Sequence, residues 1–176
     1  MGGEHGGGGG LIMKSRKNST IDIINILKYL LVLVLAVYVI LLISSEGGTD
    51  TPIETVNKNI LSVMGTDGMK KGTTQDLKKY YGLNADDFKG VTLYIPDDVM
   101  GVNELLIVRL ADASQAESVE KAAQARLDTQ KESFEGYGAA QTKLIRSAVL
   151  ESRGDYVLLA VTKKADAVQA AYRKSL

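Results

Sequence analysis

Fifteen residues without a charge, Tyr29 to Ile43, separate a basic segment (Lys14, Arg16, Lys17 and Lys28) from an acidic one (Glu46 and Asp50). Few water-soluble folds accommodate so long an apolar run at one end of a chain, and its length sets where it belongs. At about 1.5 Å per residue, Tyr29 to Ser45 reaches about 25 Å as a helix, and the half-apolar lead-in Ile21 to Leu27 extends it to the about 30 Å of a hydrocarbon core. The pattern predicts a single transmembrane helix over residues 21–45, embedded in the lipid bilayer through Tyr29 to Ile43. Segments rich in Lys and Arg stay cytoplasmic. The amino terminus is therefore expected inside a plasma membrane, with the about 130 residues after Ser45 outside it.

A cleaved signal peptide shares the basic start and apolar centre. A cut near Ser44 or Ser45 would, however, put Leu42 or Ile43 where a small residue is required. The absence of cysteine removes a lipid-modified cysteine anchor, disulfides and thiolate chemistry together. An exported fold without disulfides suits a Gram-positive type of cell surface. Ahead of the span, Gly2 to Gly10 holds seven glycines and nothing apolar to bury, so residues 1–20 are expected to form a disordered cytoplasmic tail. Its start resembles a myristoylation signal, but Gly6 stands where Ser or Thr is needed. Met13 offers a second start that would remove the tail.

Residues 46–52 read as a tether and 53–176 as one α+β domain, long enough for its own core. Two short helices are expected first. Ile53 to Met64 has Pro52 at its start and Ile53, Val56, Ile60 and Val63 at helical spacing, and Thr74 to Tyr81 stops at Gly82. Gly65 to Gly72 reads as a loop. Val91 to Ile95 alternates as a strand, Glu104 to Leu110 returns, and Ser114 with Glu117 suggests a capping box for a long helix to about Phe134. Leu144 to Leu150 and Tyr156 to Thr162 form a second hairpin around Arg153-Gly154-Asp155, before a helix from Asp166 to Lys174. Two β-β-α units predict a two-layer domain, a four-stranded antiparallel sheet with its helices on one face.

Chemistry is scarce. The only histidine, His5, lies in the glycine tail, which removes Ser-His-Asp and His-based metal sites from the outer domain. The stretch Gly65 to Thr73 has the ingredients of a phosphate loop in the wrong order. Asp97 and Asp98 with Asn103 and Glu104 would suit Ca²⁺ in residue type, but they lack the calcium-loop spacing and read as a solvated turn. Asp86-Asp87 reads as an acidic entry to a strand, and Gly154 of the Arg-Gly-Asp tripeptide as a turn residue. No cofactor or metal is expected. With 21 basic and 21 acidic residues in all, and 17 against 19 after Ser45, no nucleic-acid partner is expected either.

One constellation stands out. On the long helix Val119, Ala122, Ala123, Phe134 and Tyr137 mark the face toward the sheet, and at 100° per residue Arg126 and Gln130 fall inside that stripe. Two explanations compete. Arg126 either passes the sheet edge or hydrogen-bonds loop carbonyls, with its methylenes covering apolar surface, or Arg126, Gln130 and Tyr137 line a groove at the helix-sheet boundary that grips an anionic or carbohydrate ligand.

The run Ala125-Arg126-Leu127-Asp128-Thr129-Gln130, then Phe134 and Tyr137, then Gly154-Asp155-Tyr156-Val157-Leu158-Leu159 and Tyr172, resembles a family of membrane- or lipid-anchored Firmicutes proteins classed as a domain of unknown function, number 4358. Upstream, Tyr80-Tyr81-Gly82-Leu83 fits the same family. The resemblance covers about Thr51 to Leu176 and implies an exported domain on an anchor, with a hint of work among envelope-polysaccharide modification proteins and no established activity. Three functions are thereby framed. The first is a non-enzymatic binding or accessory module of the cell envelope, with other envelope membrane proteins or surface polysaccharide as partners. The others are a ligand sensor with a groove near Arg126, and an envelope enzyme working with carboxylates alone.

Overall fold

The computed structural model describes residues 2–3, 18–45 and 50–176, with the side chains of the first helix described over 25–39. Most of the predicted tail 1–20 and residues 46–49 of the tether lie outside the described residues. The chain divides into two units, one ending at Ile43 and one running from Ser44 to Leu176.

The first unit contributes helix α1, Asn18–Ser45. Its described side chains are all exposed, Ile26 through Val39 among them. Among the described residues no helix is long and apolar enough to cross a membrane. The stretch with described side chains is shorter than the about 20 residues a span needs, and both ends of the predicted span 21–45 lie beyond it.

The second unit is α+β. In chain order it runs α2 (Ile53–Met64), β1 (Met69–Lys71), α3 (Thr74–Tyr81), β2 (Gly90–Pro96), β3 (Glu104–Arg109), α4 (Ala116–Phe134), α5 (Ala139–Arg146), β4 (Val149–Arg153), β5 (Tyr156–Val161) and α6 (Ala165–Ser175). The sheet is antiparallel with five strands in the order β1-β2-β3-β5-β4, where four were expected. The additional strand is β1, inside the predicted loop Gly65 to Gly72. Its Met-Lys-Lys carries no readable alternation, and the backbone pairing of Met69 with Pro96 and Lys71 with Tyr94 holds it at the edge. At Gly72 a Cβ would stand 2.6 Å from the Leu93 side chain, so this edge needs glycine to lie close against β2.

The expected two layers are three. On one face α2 and α6 pack over Leu105, Ile107, Leu158 and Ala160. On the other, α3, α4 and α5 cover Leu93, Leu106, Val108, Val157 and Leu159. The reason is in β3 and β5. Leu105 to Val108 and Tyr156 to Val161 are buried without a break, and a strand apolar on both sides needs a cover on both. The two β-β-α units accordingly send their helices, α4 and α6, to opposite faces.

Local signals account for several boundaries. Thr73 Oγ1 accepts the Asp76 N–H at 3.1 Å while Asp76 Oδ2 accepts the Thr73 N–H at 2.9 Å, closing a capping box at α3. Gly82, with φ +67°, ends that helix in the left-handed conformation that glycine adopts without penalty. The box assigned to Ser114 and Glu117 is instead made by Asp112 and Gln115, which cap a 3-10 turn, Ala113–Gln115, leading into α4. Leu144, expected at the start of a strand, belongs to α5, and β4 begins at Val149. The amphipathic octamer Ala139–Arg146 buries only Ile145, too few apolar positions to register as a helix beside the following strand.

Candidate functional site

The site is built on Glu104. As the first residue of β3 it shares a face with Leu106 and Val108, which aims it at α4, and it is fully buried. Burying a carboxylate without partners costs several kcal/mol. Four donor groups converge on it. Tyr81, from the end of α3, donates its hydroxyl to Oε1 at 2.5 Å. From α4, Arg126 donates Nε–H at 3.1 Å to Oε1 and an Nη2 hydrogen at 2.9 Å to Oε2, while Gln130, one turn on, donates Nε2–H to Oε2 at 2.5 Å. The i, i+4 spacing of Arg126 and Gln130 puts both over the same carboxylate. The arginine fork matches a carboxylate in two parallel bonds, the strongest arrangement available to this pair. The Arg126 guanidinium also stacks on the Tyr80 ring, 4.4 Å from its centroid.

The ionisation of the cluster follows from this packing. Burial pushes the Tyr81 hydroxyl well above its ordinary value, and the charge of Glu104 reinforces the shift, so Tyr81 remains a donor. For Arg126 burial acts downward, but the hydrogen bonds and charge of Glu104 outweigh it and hold the guanidinium above its ordinary value. Arg126 is thus a permanent cation whose counter-ion is built into the fold. Arg126 thus has a structural partner that neither competing explanation named. One atom is left over. Gln130 is 5% exposed, and its Oε1 has no hydrogen-bond partner.

Arg126, Gln130 and Tyr137 do line one groove, of about 370 Å³, at the end of the sheet where β2 turns into β3. Lys70, Tyr80, Asp97 and Asp98 are also part of its walls. Tyr137 does not lie on the apolar face of α4, as the spacing suggested. The helix ends at Phe134, and Tyr137 is 68% exposed in the following turn, its hydroxyl donating to the Ser133 carbonyl and its ring 5.8 Å from that of Phe134. Tyr137 also lines a second cavity, of about 500 Å³, with Lys131, Glu135, Lys143 and Arg146.

Other candidates disperse. Glu104 is no part of a solvated turn, and Asn103 donates instead to the Asp67 carbonyl at 3.4 Å, while Asp98 Oδ1 accepts the Met100 N–H at 2.6 Å. Among the described residues no group of three His, Cys, Asp or Glu side chains could hold a metal ion. In the stretch resembling a phosphate loop, Asp76 already occupies the start of α3. Asp86 and Asp87 are exposed around a 3-10 turn. Asp155 of the Arg-Gly-Asp tripeptide is buried and accepts Arg109 Nε–H at 3.0 Å, so the tripeptide is a turn and not an exposed adhesion loop.

The residue missed as a site was Glu104, and a signal for it was present: it opens the run Glu-Leu-Leu-Ile-Val, where its parity with Leu106 and Val108 assigns it to the α4 face. No curated protein and no solved structure matches the chain. A family model does, over residues 62–162, which take in β1 through β5 and every member of the Glu104 cluster. On that match the chain belongs to the DUF4358 family, a domain of unknown function.

Proposed function

We propose that this protein is a single-pass membrane protein whose 53–176 domain acts outside the cytoplasm as a non-enzymatic binding or accessory module of the cell envelope, with the Arg126, Gln130 and Tyr137 groove as its binding surface. The observation that carries this reading is polarity within the domain. The chain enters at Thr51, whose carbonyl accepts the Tyr156 hydroxyl at 2.6 Å, beside the end of the sheet where β5 starts and β3 finishes. The groove lies at the opposite end, by Pro96 and Glu104. The groove and the residue through which the chain enters the domain are therefore at opposite ends of the sheet. The exposed uncharged run in α1, with basic residues before it and acidic ones after, supports the anchor and its orientation.

A ligand sensor would use the same groove. A carboxylate-only enzyme needs two acids facing each other across a cleft; here Asp97 and Asp98 are neighbours on one loop and Glu104 is committed to its four donors, which favours binding over hydrolysis. Cysteine labelling tests the proposal. A membrane-impermeant thiol reagent applied to intact cells should label a cysteine at the exposed position Ser118 and not one at Ser15. Reversed labelling overturns the orientation, and Ser118 found only in the medium overturns the anchor.

A further inference from the structure

We propose that the groove takes a neutral saccharide, an inference that rests on the groove being the module's binding surface. Charge is the first argument. Arg126 would attract an anion if it were unpaired, but its charge is spent on Glu104 at 2.9 Å. The remaining charged groups of the wall are Lys70 against Asp97 and Asp98. A carboxylate or phosphate ligand would meet net repulsion from the two aspartates, which an uncharged ligand does not meet.

Hydrogen bonding is the second. Gln130, a residue of the groove wall, has a buried acceptor, Oε1, that has no partner. Its amide cannot be turned to satisfy it, because Nε2 must face the Glu104 carboxylate. The acceptor wants a donor such as a hydroxyl, which a carboxylate or phosphate does not offer.

Shape is the third argument. Tyr137 brings an exposed ring to the groove, its hydroxyl donating to the Ser133 carbonyl and its ring 5.8 Å from that of Phe134. An aromatic face beside convergent polar groups suits a pyranose, which is apolar on its C–H faces and polar around its rim. The volume, about 370 Å³, falls in the range of about 300 to 1,000 Å³ usual for small-molecule sites.

The test is calorimetry on the full chain in lipid nanodiscs, avoiding sugar-based detergents, with four probes: cellotriose and chitotriose (neutral), trigalacturonate (anionic) and spermidine (cationic). At least one neutral trisaccharide should bind. Tyr137→Ala should weaken it about tenfold and Asp97→Ala about fivefold, the scale of one lost ring contact and one lost hydrogen bond, whereas Ser118→Ala should leave it unchanged. Three results overturn the proposal: tighter binding of trigalacturonate or spermidine, neutral binding that ignores both variants, or no neutral binding up to about 10 mM. Complementation of a deletion strain separates this from failure of the wider reading. If Tyr137→Ala loses complementation while no neutral trisaccharide binds, the ligand class is wrong and the binding surface stands. If saccharide binds but Tyr137→Ala complements fully, the binding surface is not what the cell uses.

Discussion

The two faces of the sheet are built differently. The face under α2 and α6 is mainly apolar, with Ile60, Leu105, Ile107, Leu158 and Val168 buried, and its two fully buried tyrosines are satisfied by backbone: Tyr172 donates to the Tyr156 carbonyl at 2.9 Å and Tyr156 to that of Thr51. The face under α3, α4 and α5 has an equally apolar middle, but at one end a carboxylate, a guanidinium and an amide replace aliphatic side chains, and there the surface opens into a groove. Burying a charged cluster is a poor way to gain stability, since a matched apolar set does as well or better. The cluster instead joins Arg126 and Gln130 to Glu104, with Arg126 stacked on Tyr80, at the edge of the groove. The first face secures the fold.

The largest effect should come from splitting the cluster. Arg126→Met leaves Glu104 buried without its counter-ion and should cost about 3 to 5 kcal/mol, whereas the double variant Glu104→Leu with Arg126→Met should recover only part of that loss, because Tyr81 and Gln130 then lose their acceptor. Urea midpoints of the two variants measure the difference. Equal losses would show that the cluster contributes by packing alone, erasing the contrast between the faces.

On the apolar face, Ile60→Ala removes a fully buried side chain and should cost about 2 to 5 kcal/mol, with no second substitution on that face restoring it through charge. Groove binding should be unaffected. A loss of ligand binding at temperatures where the variant is folded would mean the faces are not separable.

A pH scan reaches an ion pair on the border of the apolar face. The hydrogen bond from Arg173 holds the Glu151 carboxyl below its ordinary value, with burial opposing and Gln169 assisting. Because the folded value lies below the unfolded one, near 4.5, the unfolded chain binds protons first. The stabilisation is present above that pH and is lost as the pH falls further, toward the folded value. With Arg173 half exposed it amounts to at most about 1 kcal/mol, and Glu151→Gln should flatten the acid side of the stability profile by that much. A profile identical to the parent would remove Glu151 from the account.

The smallest stability change is expected at Tyr137. Exposed in its turn, Tyr137→Ala should shift the midpoint by no more than about 0.5 kcal/mol. A larger shift would make Tyr137 a structural residue and weaken its part in the groove.

Much of this architecture was legible in the residues. Ile53–Met64 and Thr74–Tyr81 coincide with the elements expected from a helical stripe, Pro52 and Gly82, because those signals act within one turn of backbone. The α+β class and the antiparallel hairpins followed from alternation and turn chemistry, and the inclusion of Arg126 and Gln130 in one stripe followed from the 100° period alone. Local physics did not reach further. β1 exists because the backbone of Met69 to Lys71 finds an edge to pair with, a long-range hydrogen-bonding choice that three residues do not announce. The second layer of helices exists because β3 and β5 are apolar on both sides, which becomes decisive only once they lie side by side at the centre of the sheet. The same holds for the site. Sequence could place Arg126 on an apolar face, but whether that charge meets solvent, a ligand or a buried partner depends on what β3 sets opposite it. The register of the sheet sets Glu104 there, 22 residues earlier in the chain, and that pairing across layers turned a candidate ligand-gripping arginine into the fixed wall of a groove.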